Sequence, residues 1–205
     1  MIKLVAFLGN FGEKYARTRH NVAWIFSDFF LPGCSWSKKF KGEVASFPTG
    51  DFLPFAEKVD GKEWGNSGGK ILFLRPHTYM NLSGQSVAEA VSFFKVDPSE
   101  ILVVHDELEL PFATVSLKFG GGLGGHNGLR SMKECLGTAD FYRLRFGIGR
   151  PENGTDVANY VLQPFTSEQF VKLEDVFQGI KPLMAGIICG ECDYFLKNWG
   201  KKVFS

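Results

Sequence analysis

No apolar run in this sequence approaches the roughly 20 residues that a membrane-spanning helix needs. Nor is there an excess of one charge: 23 Lys and Arg stand against 22 Asp and Glu, a formal net charge of +1. A footprint on nucleic acid must therefore be a local patch rather than a global field. The apolar start, Met1 to Leu8, is too short for a signal-peptide core and runs straight into polar residues, so a cytoplasmic protein is expected. Without a secretion signal, the glycosylation-type tripeptides Asn81-Leu82-Ser83 and Asn153-Gly154-Thr155 carry little weight. There is no HExxH and no metal-spaced cluster of His and Asp, which argues against metal-assisted hydrolysis; no metal and no cofactor are expected. Cysteine is sparse. Of Cys34, Cys135, Cys189 and Cys192, only the last two form a CxxC pair, and a zinc ribbon needs a second pair. In their apolar segment, i,i+3 spacing places both on one helical face, as buried structural thiols. Internal repeats and low-complexity tracts are absent.

What is abundant is glycine, and its densest run organises the chain: Gly120-Gly121-Gly122-Leu123-Gly124-Gly125-His126-Asn127-Gly128-Leu129-Arg130-Ser131. Glycine loses the most backbone freedom on folding, so such a run is costly to order. Its usual return is a backbone that takes positive φ and lets a ligand come close. Asn127 or Ser131 can cap the helix expected to follow, whose free N–H groups favour an anion or a polarised carbonyl. The dinucleotide fingerprint fits poorly, because Gly122-Leu123-Gly124-Gly125-His126-Asn127 lacks the third glycine.

The 205 residues, 44% hydrophobic and 22% charged with 21 Phe, suit one large domain with a substantial core. Ile2 to Leu8 reads as a strand buried on both faces. Val22, Ile25, Phe26, Phe29 and Phe30 fall at helical spacing, stopped by Pro32-Gly33. Trp36 to Phe47 alternates as one strand with a basic flank. Residues 48–69 read as a long surface loop or hairpin. Lys70 to Arg75 is a strand, and Ser83 is placed to cap a helix from Gly84 to Phe94. Ile101 to Asp106 is a buried strand delivering Asp106 at its carboxyl end. Thr114 to Phe119 leads into the glycine loop, Arg130 to Leu136 is helical, and Tyr142 to Ile148 is the last strand. Asn153 to Phe165 is a loop or short helix, and two helices fill Ser167 to Trp199. Buried strands interleaved with helices give an α/β fold, largely parallel with some antiparallel pairing.

In an open α/β sheet ligands bind at the carboxyl ends of the strands. The polar groups at such ends are Asn10, His20, Asn81, Asp106, His126 and Asn127. A His with an Asp partner is the minimal general base with its orienter. Three carboxamides would supply neutral donors and acceptors for an amide-rich or ester substrate. Spacing does not choose among His20, His77, His105 and His126, although His105 and Asp106 should face opposite sides of their strand. A serine nucleophile is the rival: Gly84-Gln85-Ser86-Val87-Ala88 nearly matches the nucleophile elbow, but Ala88 replaces its last glycine and a loop, not a strand, precedes it.

Four groups of residues, in order and at compatible spacing, resemble the bacterial peptidyl-tRNA hydrolase family. They are Leu8-Gly9-Asn10 with Gly12, Tyr15 and Thr18-Arg19-His20-Asn21; Arg75-Pro76 with Thr78 through Gly84; Asp106-Glu107-Leu108 with Leu110-Pro111, Lys118 and Gly120 through Leu129; and Arg143-Leu144-Arg145 with Gly147-Ile148-Gly149. The likeness covers nearly the whole chain. The departures are Phe7, Phe11 and Ala23, where the family usually has glycine, proline and glycine, and a longer 48–69 segment.

The resemblance implies a single domain over residues 1–205, with a twisted mixed, mostly parallel sheet flanked by helices, phosphorylase/hydrolase-like. It implies cleavage of the ester between a peptide and the 3′-terminal ribose of tRNA by a monomer that uses no metal and no membrane. Carried over, His20 is the base and Asp106 holds it. Asn10 and Asn81 contact the peptide and the ester, Tyr15 and Met80 line the site, and Asn127 positions the water or the peptide. Lys118 with Arg143 or Arg145 would contact the acceptor arm. Ser116 stands where relatives often have lysine, which thins the basic patch. A homologous fold serves as a non-enzymatic splicing partner in chloroplasts; the complete polar set and the lack of a transit-like N-terminus argue against that role here.

Overall fold

β1 (Leu4–Phe7) is apolar at every position because both faces of the sheet are covered. Leu4, Ala6 and Leu8 point into one core, Val5 and Phe7 into the other. The computed structural model describes residues 1–56, 64, 68–151, 156–190 and 192–204. The other strands are β2 (Ser37–Lys39), β3 (Gly42–Pro48), β4 (Lys70–Pro76), β5 (Ile101–Glu107), β6 (Thr114–Phe119), β7 (Tyr142–Gly147) and β8 (Lys201–Val203). The sheet order is β2-β3-β4-β1-β5-β7-β6-β8. Its centre, β4-β1-β5-β7, is parallel. An antiparallel pair flanks it on each side. The expected mixed sheet with a parallel core is therefore present.

The helices are α1 (Val22–Phe30), α2 (Ser83–Phe94), α3 (Asn127–Leu136), α4 (Val157–Val161), α5 (Ser167–Cys189) and α6 (Cys192–Asn198). α1, α5 and α6 cover one face, α2 and α3 the other. The phenylalanines explain much of the first core: Phe26 lies 5.1 Å from Phe146 and 5.3 Å from Phe177, and Phe73 lies 6.0 Å from Phe7 and 5.7 Å from Phe52. Among the described residues no helix is long and apolar enough to cross a membrane.

Several local expectations need correction. Trp36 to Phe47 is not one strand but the β2–β3 hairpin, turning at Phe40 and Lys41 with φ of 55° and 51°. That left-handed turn normally announces itself with Asn or Gly. Here it is held from outside, by Ser86 Oγ donating to the Phe40 carbonyl at 2.6 Å and by the Phe40 ring against Phe93. Ser83 does not cap α2; it lies in the first turn and its hydroxyl donates to the Met80 carbonyl at 2.9 Å. In the 48–69 segment, Thr49–Phe55 forms a 3-10 helix against α5. Residues 57–63 and 65–67 of that segment lie outside the described residues, as does the Asn153-Gly154-Thr155 tripeptide. Cys189 ends α5 and Cys192 begins α6, so they do not share a helical face, although both are buried and free. Burial pushes the Cys189 thiol up to about 11, which keeps it protonated. Finally, Tyr142–Gly147 is not the last strand: β8 follows α6, too short and too polar to show a period.

α2 and α3 cross so closely at Gly84 that a Cβ there would collide with the Ser131 carbonyl. Ser131 Oγ also accepts the Gly84 N–H at 3.0 Å. Gly84→Ala should therefore lower stability by about 1–3 kcal/mol, the range for overpacking. Urea denaturation checks this, and an unchanged midpoint would contradict the packing described.

Candidate active site

β1 and β5 are neighbours at the sheet centre, and the chain leaving their carboxyl ends brings the polar residues together. Asn10 follows β1 and is pinned on three sides. Its backbone N–H donates to Asn21 Oδ1 at 2.8 Å, its carbonyl accepts from Asn21 Nδ2 at 2.9 Å, and its Oδ1 accepts the Met80 N–H at 2.8 Å. With Oδ1 so engaged, the Asn10 NH2 group is the part left for the cleft it lines.

His20 sits in the 3-10 turn Arg19–Asn21, buried, and its Nδ1–H donates to Asp106 Oδ1 at 2.8 Å. His126 donates to the same oxygen through Nε2–H at 2.9 Å. The tautomer of His126 is set by its other nitrogen. Nδ1 accepts the N–H groups of Gly128 (3.1 Å) and Leu129 (3.3 Å), and so caps α3. The expected caps, Asn127 and Ser131, do not play that part. His105 faces the other way along β5, as alternation requires, and its Nδ1–H donates to the Asp106 main-chain carbonyl at 2.6 Å. Three of the chain's four histidines thus surround one aspartate that is 2% exposed.

The electrostatics follow. Burial opposes ionisation of Asp106, but the charge on His20 and the hydrogen bonds from His20 and His126 outweigh it and hold the carboxyl well below its usual range. Burial likewise disfavours a charged His20, yet the Asp106 charge and hydrogen bond prevail and raise its pKa above 6.5. His105, fully enclosed and beside His126, is pushed well below 6.5 and stays neutral.

Two cavities meet at His20 and Asn127. One, of about 300 Å³, is lined by Asp106, Glu107, His126 and the glycine loop. The other, of about 480 Å³, is lined by Asn10, Tyr15, Tyr79, Met80, Asn81 and Arg130. Every residue expected at the catalytic and peptide sites therefore falls on one cleft. A larger cavity, about 620 Å³, lies among Phe30, Phe47, Phe52 and Phe55 and has none of these groups, so size alone does not mark the site. Ser86 is fully buried in α2 with its hydroxyl donated to Phe40, which removes the serine-nucleophile reading.

The expected cations separate. Lys118 is partly exposed and lies along the glycine loop at Gly121. Arg143 is 1% exposed, and its guanidinium donates to the carbonyls of Gly122 (2.7 Å) and Gly121 (2.8 Å). It clamps the glycine loop from within. Arg145 reaches the surface, held by Glu107 at 3.3 Å and Ser116 Oγ at 3.0 Å. Sequence reasoning placed His126 among the strand-end polar groups but gave it no role, and it missed the Arg143 clamp; spacing carries no signal for either.

His20, Asp106 and His126 also form the one cluster of metal-ligand type among the described residues. Tetrahedral ligands about 2.0–2.1 Å from a zinc ion stand roughly 3.3 Å or more apart. The Asp106 oxygen instead lies at hydrogen-bond distance from both imidazoles, so the chemistry of this donor set is that of a proton network.

The family profile described as Peptidyl-tRNA hydrolase matches residues 4–202. The chain is similar to the peptidyl-tRNA hydrolase of Treponema pallidum, with 44% identity over 98% of this chain and 96% of the relative. It is 40% identical to that of Neisseria meningitidis over 94% of this chain and 93% of the relative. Among solved structures, a mutant of the Acinetobacter baumannii peptidyl-tRNA hydrolase superposes with a TM-score of 0.80 at 30% identity, covering 98% and 96% of the two chains.

The raised pKa of His20 is directly observable. In an NMR titration its imidazole should titrate above 6.5, and in Asp106→Asn below 6.5, since burial then acts unopposed. The stabilisation from the charged pair is complete below the unfolded value near 6.5 and is lost as pH rises through the raised folded value. A His20 that titrates identically in both proteins would contradict the pairing.

Proposed function

The chain belongs to the peptidyl-tRNA hydrolase family, and from that premise we propose how its own residues cleave the ester between a peptide and the 3′-terminal ribose of tRNA. It is an ester hydrolase; the division of labour within the site is our reading. The observation that carries it is the His20–Asp106 pair. With Nδ1–H committed to Asp106 at 2.8 Å, Nε2 is the free lone pair, and His20 lines both cavities.

His20 Nε2 takes a proton from a water molecule as the water oxygen bonds to the ester carbonyl carbon. Asp106 stabilises the imidazolium that forms. The carbonyl oxygen gains the electron pair, and the Asn10 NH2 group with the Asn127 amide stabilises it. As the pair returns, the carbon–ribose-oxygen bond breaks and His20 gives its proton to the departing oxygen. Tyr15, Met80 and Asn81 hold the peptide in the larger of the two cavities. Lys118 and Arg145 meet phosphates of the acceptor arm. Arg143 acts from below, by holding the carbonyls of the loop that carries His126 and Asn127.

The peptide-side cavity also accounts for a preference for blocked amines. Among the described residues lining it, Arg130 is the formally charged group besides the His20 imidazole, and none is a carboxylate. A free ammonium would lose hydration there without gaining a counter-charge. The same reading takes the protein as a single-domain cytoplasmic monomer that needs no metal.

His20→Ala should lower kcat by about 10²–10⁴-fold while leaving tRNA affinity nearly unchanged. Release of N-acetylated amino acid from charged tRNA measures the first and equilibrium tRNA binding the second; an undiminished rate would remove His20 from the mechanism. N-acetylaminoacyl-tRNA should be turned over faster than aminoacyl-tRNA, and equal rates would contradict the account of the cavity. Turnover after exhaustive chelation should be unchanged, and a loss restored by added metal would overturn the proton-network reading.

A further inference from the structure

We infer that the C-terminal strand β8 is part of the RNA-binding surface, with Lys201 as a phosphate ligand beside Lys118. This rests on the reading that the glycine-loop side of the sheet meets the tRNA.

The register makes the case. Lys201 pairs with Ser116, and Ser116 pairs with Arg145. Directly opposed residues in antiparallel strands project to the same face, and Lys118, two residues on from Ser116, shares it. Lys118, Arg145 and Lys201 therefore stand on one face of three adjacent strands. From two residues of rise and one strand spacing, Lys118 and Lys201 are roughly 8 Å apart at the backbone. That is the scale of neighbouring phosphates along a nucleic-acid strand.

The charges on this face are not equivalent. Arg143 is buried under the glycine loop, and Arg145 is partly neutralised by Glu107. Lys118 and Lys201 have no acidic partner among the described residues. Between them lies Ser116, whose short side chain is spent internally: its hydroxyl donates to the Gly200 carbonyl at 2.9 Å and accepts from Arg145 at 3.0 Å. Ser116 is small, neutral and buried, so at this point of the face the exposed cation is Lys201, directly opposite it.

β8 is a positioned element rather than a loose end. The Leu117 N–H donates to the Gly200 carbonyl at 2.9 Å and the Phe204 N–H to the Ala113 carbonyl at 3.0 Å. The Phe204 ring packs so tightly on α5 that a Cβ at Gly179 would collide with it. Lysine on an edge strand also guards against edge-to-edge pairing. Lys202, which projects to the opposite face over the Phe204 ring, suffices for that and serves as the control.

The test is equilibrium binding of deacylated tRNA to the full chain at 50 and 200 mM salt. Lys201→Ala should reduce the magnitude of the log–log salt slope by roughly 0.7–0.9, which is about a three-fold smaller loss of affinity across that range. Lys201→Arg should restore the wild-type slope, and Lys202→Ala should match wild type. If Lys201→Ala and Lys202→Ala give the same slope while wild type still hydrolyses N-acetylaminoacyl-tRNA, β8 is not an RNA contact and the hydrolase reading stands. Should wild type neither hydrolyse that substrate nor show salt-dependent tRNA binding, both readings fall. A Lys201→Ala protein with a lower melting midpoint and an unchanged slope would mark the residue as structural and overturn the inference.

Discussion

A single carboxylate oxygen, Asp106 Oδ1, receives hydrogen bonds from two imidazoles, and the rest of the site depends on that arrangement. A buried carboxylate is costly unless it is paired and hydrogen-bonded. Here the two partners also fix each other's proton positions. Because His126 Nδ1 is an acceptor for the N–H groups that begin α3, its proton must be on Nε2, facing Asp106. Because Asp106 accepts from His20 Nδ1, the lone pair of His20 must be on Nε2, facing the cleft. A helix start, a buried charge and the imidazole we propose as general base are thereby linked through one atom.

The frame that holds this arrangement is the parallel centre of the sheet. Asp106 rides on β5, hydrogen-bonded to β1 on one side and β7 on the other, with helices over both faces. A position so confined has little freedom to move away from His20. The glycine loop is the opposite case: Gly120, Gly121, Gly124 and Gly125 all have positive φ. Its entropy cost is offset where Arg143, drawn from β7, donates to two of its carbonyls. The buried cation under the loop thus holds its carbonyls, and on our proposal phosphate recognition falls to Lys118, Arg145 and Lys201 on the neighbouring strands.

The sheet and most helices were legible because long apolar runs and 3.6-residue periods report burial directly. β6 coincides with its expected span, and α1 begins and ends where spacing and Pro32-Gly33 indicate. What periodicity could not show was structure imposed from elsewhere in the chain. The Phe40-Lys41 turn has no turn-forming residue and is held by Ser86, 46 positions away. β8 is three exposed residues defined by their partner strand. At the site, the residue types and the motifs assembled Asn10, His20, Asn81, Asp106 and Asn127 on one cleft. They did not show that Arg143 points inward, nor that His126 shares the carboxylate, because both depend on side-chain direction within a loop of glycines.

The most direct test is the tautomer of each imidazole, read from the ring nitrogens by long-range 1H–15N NMR above the pH at which His20 titrates. The account predicts opposite forms within one protein: His20 protonated on Nδ1 and His126 on Nε2. Finding His20 predominantly protonated on Nε2, or both rings in the same form, would contradict it.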